Sequence, residues 1–303
     1  MANGSTPAIG SIWRSAVPKA MSVWRWPAWA AVAGGQRLPD HALGSAVLRA
    51  LRADGVDTSA VVRAPNTRVG TYFLEFASQP RAIQVIYDRA GSAAAQLAPQ
   101  DIDWEYLLNT KILHLTGITA ALSASCYAVV QEAVRRARTA GITLSFDVNY
   151  RGKLWDAATA GTQLRPLIAE ADLLFCKSAD AALLFGCTGA PAEQMAQLKA
   201  LSRASAICCT FGAEGARLLV DDDLIHRPAV PVQIVDRIGS GDAFAAGVLD
   251  GLLDGDLRGG LDRGVALAAI ALSQHGDRIL TTRAELATVM AQSGGDVVRG
   301  AKD

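Results

Sequence analysis

From about residue 40 onward, short apolar runs alternate with longer amphipathic stretches, and this alternation is the feature that most restricts the fold. Apolar runs at 112–115, 142–146, 171–175 and 206–210 predict buried strands. Helices are expected between them, because strand–helix alternation is typical of a parallel sheet with helices on its faces. The sequence therefore predicts an α/β fold with a mostly parallel central sheet.

Other elements follow from periodicity, caps and turn residues. Helices are predicted at 46–53, 123–139, 193–201, 241–253, 261–274 and 283–292. A hairpin is predicted from 217–220 and 224–226. Two further strands, at 67–76 and 82–88 around a polar turn at 77–81, lie outside the strand–helix rhythm. They are expected to form a small separate β lid within residues 60–95.

Charge and cysteine content restrict the partners and the compartment. Lys+Arg and Asp+Glu are both 29, so net charge gives no reason to expect nucleic acid or an anionic membrane as a partner. We expect no transmembrane helix and no signal peptide. An odd set of five cysteines without metal-ligand spacing predicts reduced thiols in a cytoplasmic protein: Cys126, Cys176, Cys187, Cys208 and Cys209.

The strongest chemical signal is the run Gly239-Ser240-Gly241-Asp242, which follows an apolar stretch and opens a helix. Glycines there let backbone N–H groups converge on an anion at the positive end of the helix dipole. A carboxylate is unhelpful for phosphate binding alone, but it suits a base that takes a proton from a hydroxyl attacking phosphorus. The alternative is an ordinary helix N-cap after a glycine-rich turn.

Three other segments carry candidate residues. Thr210-Phe211-Gly212-Ala213-Glu214-Gly215 follows a predicted strand, and its glycines would let the backbone lie close to a nucleotide; a simple turn is the alternative. The run 145–151 ends a strand at the edge where parallel sheets bind ligands, and its arginine can hold a carboxylate or phosphate; a solvated loop is the alternative. The run 87–94 is the fourth segment, with an edge strand as its alternative.

Together these segments resemble the ribokinase-like sugar kinases, also called the phosphofructokinase-B family, over about residues 38–289. The resemblance implies a three-layer α/β fold, ATP with Mg²⁺ as cofactors, and Asp242 as catalytic base. It implies that the amides of Gly239, Ser240 and Gly241 form the anion hole.

The runs Tyr-x-Arg-x-Gly-Ser-Ala-Ala and Asp-x-Asn-x-Arg are similar to the subgroup that phosphorylates keto-deoxy sugar acids, nearest to the 2-keto-3-deoxygluconate kinases. The resemblance implies substrate contacts from Tyr72, Tyr87, Arg89, Asn149, Arg151 and Asp242. It implies nucleotide contacts from Thr210, Gly212, Gly215, Asn149, Arg151, Gly239 and Gly241.

Two positions depart from the family pattern near the nucleotide. The family has Asn-x-x-Glu where this chain has Lys177-Ser178-Ala179-Asp180. Asp180 keeps a carboxylate that could organise Mg²⁺ through water, whereas Lys177 brings a competing cation. Val265 stands where many relatives have asparagine near adenine.

The N-terminal segment departs further, because the family's Gly-Gly-x-x-x-Asn sugar-gripping motif is absent from it. Residues 24–29 contain three tryptophans with arginine and proline, which could indicate an interfacial membrane peptide. A one-base shift of the reading frame over residues 15–30 permits Gly-Gly-Ala-Glu-Gly-Asn followed by the expected helix. We interpret residues 1–36 as the product of a compensated frameshift, with the normal frame resuming near Arg37.

The chain is thus predicted to contain an aberrant segment at 1–36, a kinase domain at 37–292 and a frayed tail at 293–303. The predicted reaction transfers phosphoryl from ATP to a primary hydroxyl of a sugar acid, 2-keto-3-deoxygluconate, giving its 6-phosphate. A kinase for a neutral sugar such as fructose, or a catalytically impaired remnant, are the alternatives. A homo-oligomer through the lid is expected.

Overall fold

The computed structural model describes residues 36–75, 81, 84–276 and 278–292. The strands are β1 Arg37–Pro39, β2 Val62–Ala64, β3 Thr71–Glu75, β4 Gln84–Asp88, β5 Ile112–Thr116, β6 Thr143–Asp147, β7 Leu173–Lys177, β8 Ala206–Thr210, β9 Ala216–Val220 and β10 Asp223–Arg227. The helices are α1 Ala42–Ala53, α2 Trp104–Leu108, α3 Gly117–Leu122, α4 Ala124–Ala140, α5 Ala157–Ile168, α6 Ser178–Phe185, α7 Pro191–Ala200, α8 Ser240–Asp254, α9 Leu257–Leu272 and α10 Arg283–Gln292.

The central sheet has six strands in the order β10-β9-β8-β7-β6-β5. Strands β5 to β8 pair in parallel, and β9 and β10 form an antiparallel hairpin against β8. The mostly parallel sheet and the hairpin predicted from the sequence are therefore confirmed. Because parallel strands all point the same way, the loops after β6, β7 and β8 meet at one edge of the sheet.

Helices cover both faces of this sheet, so its apolar residues are buried whichever way they point. Leu174 and Cys176 of β7 face a core shared with α4, α5, α6 and α7. Leu173 and Phe175 of the same strand face a second core shared with α8 and α9. This alternation produces the three-layer fold that the family resemblance implies.

Helices α8 and α9 pack with their backbones almost in contact, and glycine makes this possible. A Cβ on Gly247 would lie 2.4 Å from the backbone nitrogen of Gly264, and one on Gly251 would lie 2.3 Å from the Cα of Gly260. Such distances exclude any side chain. This close pairing fixes the direction of α8, whose first turn carries the candidate catalytic residue.

Several helix boundaries agree with the cues in the sequence. The Ser123 side chain accepts from the Cys126 backbone N–H at the start of α4, and Gly141 ends that helix with φ of 67°. Helix α1 begins four residues before the predicted start, because His41 caps it by accepting from the Leu43 N–H. The predicted helix from residue 261 instead runs from Leu257 to Leu272.

Strands β3 and β4 form a separate antiparallel two-stranded sheet, which we call the lid. Arg68 braces its base by donating to both carboxylate oxygens of Asp88, at 3.0 and 2.7 Å. The ammonium group of Lys153 donates to the Val85 carbonyl at 2.5 Å and so connects the lid to the loop after β6. Most of the predicted turn at 77–81 lies outside the described residues, as do residues 1–35 with the proposed frameshift.

All five cysteines are free and buried, which agrees with the predicted reduced thiols. Cys208 and Cys209 lie in strand β8, as their apolar context indicates. No helix within the described ranges combines the length and the apolar character needed to cross a bilayer.

Candidate active site

A cleft of about 990 Å³ opens above the carboxyl ends of β6, β7 and β8 and the first turn of α8. Open α/β sheets bind their ligands at this edge. The cleft collects most of the residues singled out in the sequence: Asn149, Arg151, Thr210, Gly212, Gly215, Gly239, Ser240, Gly241 and Asp242. Asp147, Lys177 and Val265 also line it.

The glycine run turns the chain into helix α8 and leaves open space above it. Gly239 is the N-cap of α8 with φ of 80°, a backbone conformation that favours glycine. A Cβ on Gly241 would meet no atom within 4 Å, so the backbone here borders the cleft directly. Asp242 lies in the first turn of the helix. An anion bound at this point would face backbone N–H groups and the positive end of the helix dipole.

Asp236 holds the glycine run in place, and the sequence reading gave this residue no role. Its side chain is only 1% exposed. One carboxylate oxygen accepts from the Ile238 N–H at 3.1 Å, and the other accepts from the Gly276 N–H at 3.0 Å. Asp236 thereby connects the turn before Gly239 to the loop after α9. The sequence contains one cue to this role: an aspartate two residues before an apolar residue that is followed by glycine. Many turns share this pattern.

Asp147 lies at the end of β6, beside Asp242. Burial raises its pKa to about 7, the charge of Asp242 adds to this effect, and Arg151 and Lys177 oppose it. One oxygen of Asp147 accepts from the Asn149 N–H at 3.1 Å. The sequence reading named Asp147 within its motif and assigned it no function. A pKa near 7 in a cleft is typical of a residue used in chemistry or ion binding.

The run Thr210–Gly215 forms the wall of the cleft that we expect to hold the nucleotide. The Phe211 N–H donates to the Gly215 carbonyl at 2.8 Å, which closes the turn. Gly215 has φ of 95°, and a Cβ there would lie 2.1 Å from the Arg227 carbonyl oxygen. Gly212 borders open space. Val265 of α9 contributes an apolar surface to the same cleft.

The lid supplies a second group of predicted site residues. Tyr72 and Tyr87 are cross-strand partners whose rings meet edge to face at 6.3 Å. The Arg89 guanidinium lies 4.2 Å from the centre of the Tyr87 ring. These three residues do not line the main cleft, but Arg89 lies close enough to Arg151 for their charges to interact. Burial, and then the charge of Arg151, lower the pKa of Arg89.

Asp180, which was expected to organise Mg²⁺ through water, follows three residues that line the cleft but is not itself one of the lining residues. Burial raises its pKa, against the opposing charges of Lys177 and Arg151. Its Oδ2 atom is buried without a hydrogen-bond partner in the described part of the chain. Within the same residues, no cluster of three or more histidine, cysteine or acidic side chains could hold a metal directly. An ion here would thus depend on phosphate oxygens and water, which is how proteins often bind Mg²⁺.

The family model for pfkB family carbohydrate kinases matches residues 29–283. The chain belongs to this family. It is a carbohydrate kinase, and the conclusion agrees with the glycine run at the start of α8 and with the arrangement of the cleft.

Two similar proteins and one similar solved structure carry the names of 2-dehydro-3-deoxy sugar kinases. The chain is 31% identical over 261 residues to a 2-dehydro-3-deoxygalactonokinase of Haloferax volcanii, covering 86% of this chain and 81% of the relative. It is 33% identical over 254 residues to a 2-dehydro-3-deoxygluconokinase of Bacillus subtilis, covering 82% and 78%. The crystal structure of the Thermotoga maritima 2-dehydro-3-deoxygluconokinase superposes with a TM-score of 0.84 at 26% identity, covering 90% of this pfkB kinase and 87% of that chain.

Proposed function

We propose that this kinase transfers the γ-phosphoryl group of ATP to the primary hydroxyl of 2-keto-3-deoxygluconate and forms its 6-phosphate. The names of the relatives support this substrate class, and the cleft provides a reason for it. The proposal needs three parts: a cationic place for the sugar carboxylate, a base beside the hydroxyl, and an anion hole for the transferred group.

The observation that carries the substrate class is the proximity of Arg89 and Arg151. Two guanidinium groups near each other repel, unless an anion lies between them. Arg151 acts through its charge on Asp147 and Asp180, but neither arginine forms an ion pair within the described residues. A sugar carboxylate would relieve this repulsion and could accept two hydrogen bonds from one guanidinium. A neutral sugar would add no negative charge between the two arginines.

In the proposed reaction, Asp242 takes the proton of the primary hydroxyl as its oxygen attacks the γ-phosphorus. The bond from that phosphorus to ADP breaks, and the backbone N–H groups of Gly239 to Gly241 stabilise the charge on the transferred group. Tyr72, Tyr87 and Asn149 orient the sugar acid in this proposal. Mg²⁺ bound with ATP would neutralise phosphate charge, and Asp180 would contact it through water.

The direct test is a substrate panel with the unaltered chain and MgATP. The panel contains 2-keto-3-deoxygluconate, its galactonate epimer, fructose and ribose, with ADP release and product mass as the readouts. The proposal expects the highest kcat/KM for a keto-deoxy acid. Faster turnover of fructose would identify a neutral-sugar kinase. Nucleotide binding without turnover of any of the four would identify an impaired remnant.

We also propose that two copies associate through the lid. Phe73 and Ile86 are cross-strand partners on its outer face, and they are 55% and 58% exposed. A two-stranded sheet is marginal alone, so burying this pair against a second lid would stabilise it. Phe73→Ser should lower the mass measured by light scattering to that of a monomer. Leu280→Ser, which removes a 65% exposed leucine elsewhere, should not. A monomeric unaltered chain would contradict this assembly.

The predicted cytoplasmic location remains part of the proposal. It is supported by the use of ATP and by five free cysteines, which are typical of a reducing compartment.

A further inference from the structure

Lys177 occupies a central place in the cleft. It ends strand β7, forms the N-cap of helix α6, and lies opposite Thr210 in the parallel register with β8. Lys177 and Thr210 line the same cleft as the glycine run before Asp242. A nucleotide that extends from the Thr210–Gly215 turn toward the glycine run would carry its phosphates past the end of β7.

Lys177 is an exposed residue whose charge acts on two acid groups. It opposes the rise in the pKa of Asp147 and of Asp180 that burial causes. Yet the described ion pairs and hydrogen bonds include none from its ammonium group to either carboxylate. Its charge therefore acts on both acids without a direct contact, and its ammonium group carries three N–H donors on a residue that lines the cleft.

We propose that Lys177 binds the terminal phosphates of ATP and stabilises the negative charge of the phosphoryl group during its transfer. The inference rests on the proposed function and adds a catalytic residue to it. A lysine ammonium is a compact point charge, which suits phosphate oxygens that move as bonds form and break. In this reaction the proton of the sugar hydroxyl goes to Asp242.

The competing explanation is structural: Lys177 could serve only as a counter-charge for Asp147 and Asp180. The two roles differ in how they depend on the number of phosphates. A counter-charge acts through the acids that shape the cleft, so its loss would weaken AMP as well as the ATP analogue. A phosphate ligand favours a nucleotide with a γ-phosphate over one that has only an α-phosphate.

The experiment compares Lys177→Met and Lys177→Arg with the unaltered chain in sugar-free binding titrations with Mg²⁺. The ligands are AMP, ADP and the non-hydrolysable β,γ-imido analogue of ATP. Loss of a charged hydrogen-bond partner should weaken the analogue by roughly tenfold to a hundredfold in the Met variant, with AMP unchanged. The Arg variant should recover most of the affinity. Lys153→Met, which removes an ammonium that contacts the lid, should leave all three affinities unchanged.

An equal loss for AMP and the analogue, or no loss for either, would overturn the role of Lys177. Melting temperatures accompany each titration; if the Met variant does not fold, Lys177→Gln replaces it in the same comparison. Sugar turnover is measured separately on the unaltered chain. A loss of affinity for the ATP analogue alone, without sugar-acid turnover, would refute the proposed function and support the role of Lys177. Sugar-acid turnover without that loss would support the proposed function and refute the role of Lys177.

Discussion

Asp147 and Asp242 line the same cleft, close enough that the charge of Asp242 adds to burial in raising the pKa of Asp147 to about 7. The first acid ends strand β6 and the second opens helix α8. The parallel sheet brings them together from positions far apart in the sequence. The pair makes part of the protein's stability depend on pH.

The pH dependence can be tested with Asp147→Asn. The pKa of Asp147 in the folded state is about 7, above the reference value of 3.8. At pH values between these two numbers, the folded state holds a proton that the unfolded state has released. Stability from this group is present below about pH 4 and is lost as pH rises to about 7. Asparagine cannot ionise, so the variant should be more stable than the unaltered chain at pH 8, on the order of 2 kcal/mol after allowance for water in the cleft.

Urea unfolding of nucleotide-free protein at pH 8 and pH 4.5 measures this difference, which should shrink at the lower pH. Asp222→Asn is the matched control, because that acid is exposed and paired with Lys199. The same gain at both pH values would show that ionisation of Asp147 is not its source.

Removing Arg89 or Arg151 should weaken the binding of acid substrates more than that of neutral sugars. Truncating one partner of a desolvated charge pair costs about 2–5 kcal/mol. Arg89→Ala or Arg151→Ala should therefore raise the KM for 2-keto-3-deoxygluconate about 30-fold or more, and that for fructose much less. Steady-state kinetics on both sugars measure the ratio. Arg258→Ala, which removes an exposed arginine paired with Asp223, is the control. Equal changes for both sugars would favour a neutral substrate.

Asp236 should act as a positioning residue for the glycine run. Asp236→Asn keeps the shape but points an NH₂ group at a backbone N–H donor, which leaves a buried donor unsatisfied at about 1–3 kcal/mol. We expect a lower melting temperature and about a tenfold lower kcat, with AMP affinity unchanged, because the affected bonds hold the glycine run and the loop after α9 and not the Thr210–Gly215 turn. Asp236→Glu tests whether two acceptors alone restore the rate. Unchanged kcat in the Asn variant would separate this aspartate from the anion hole.

Local patterns in the sequence predict the sheet and the glycine run well. Strand β8 is found at its predicted bounds, because an apolar run between turn residues identifies a buried strand without tertiary information. Helix α4 has a serine cap and a terminal glycine, which are equally local cues. The glycine run before Asp242 combines turn and helix-start residues in one short segment, so its position at the edge of the sheet can be predicted from the sequence.

Features that depend on tertiary contact were missed. Helix α5 was not predicted, since Pro166 lies inside it and Asp156 was not recognised as its cap. Strands β1 and β2 have three residues each, too few to show a period. The role of Asp236 depends on Gly276, forty residues away, and a one-dimensional reading cannot show that bond. The division into residues 1–36, 37–292 and 293–303 stays a prediction.

The frameshift interpretation predicts a better enzyme after correction. A chain in which residues 15–30 carry the shifted-frame sequence, preceded by a family-like first strand, should give more soluble protein and a lower KM for the sugar acid. The physical reason is that a site built around hydroxyl groups loses binding when its polar partners are missing. Soluble yield and ATP-dependent turnover are compared with the unaltered chain. Equal yield and turnover would establish the tryptophan-rich segment as a genuine part of the enzyme.

The most direct test of the account is the turnover of Asp242→Asn with 2-keto-3-deoxygluconate and MgATP. Loss of a general base lowers the rate about 10²–10⁴-fold, while the melting temperature and the affinity for ADP should stay close to those of the unaltered chain. Asp254→Asn, at the other end of the same helix, should keep full activity, because Arg263 retains Asp250 as a partner. Near-native turnover by Asp242→Asn would remove the base from the mechanism and contradict the account.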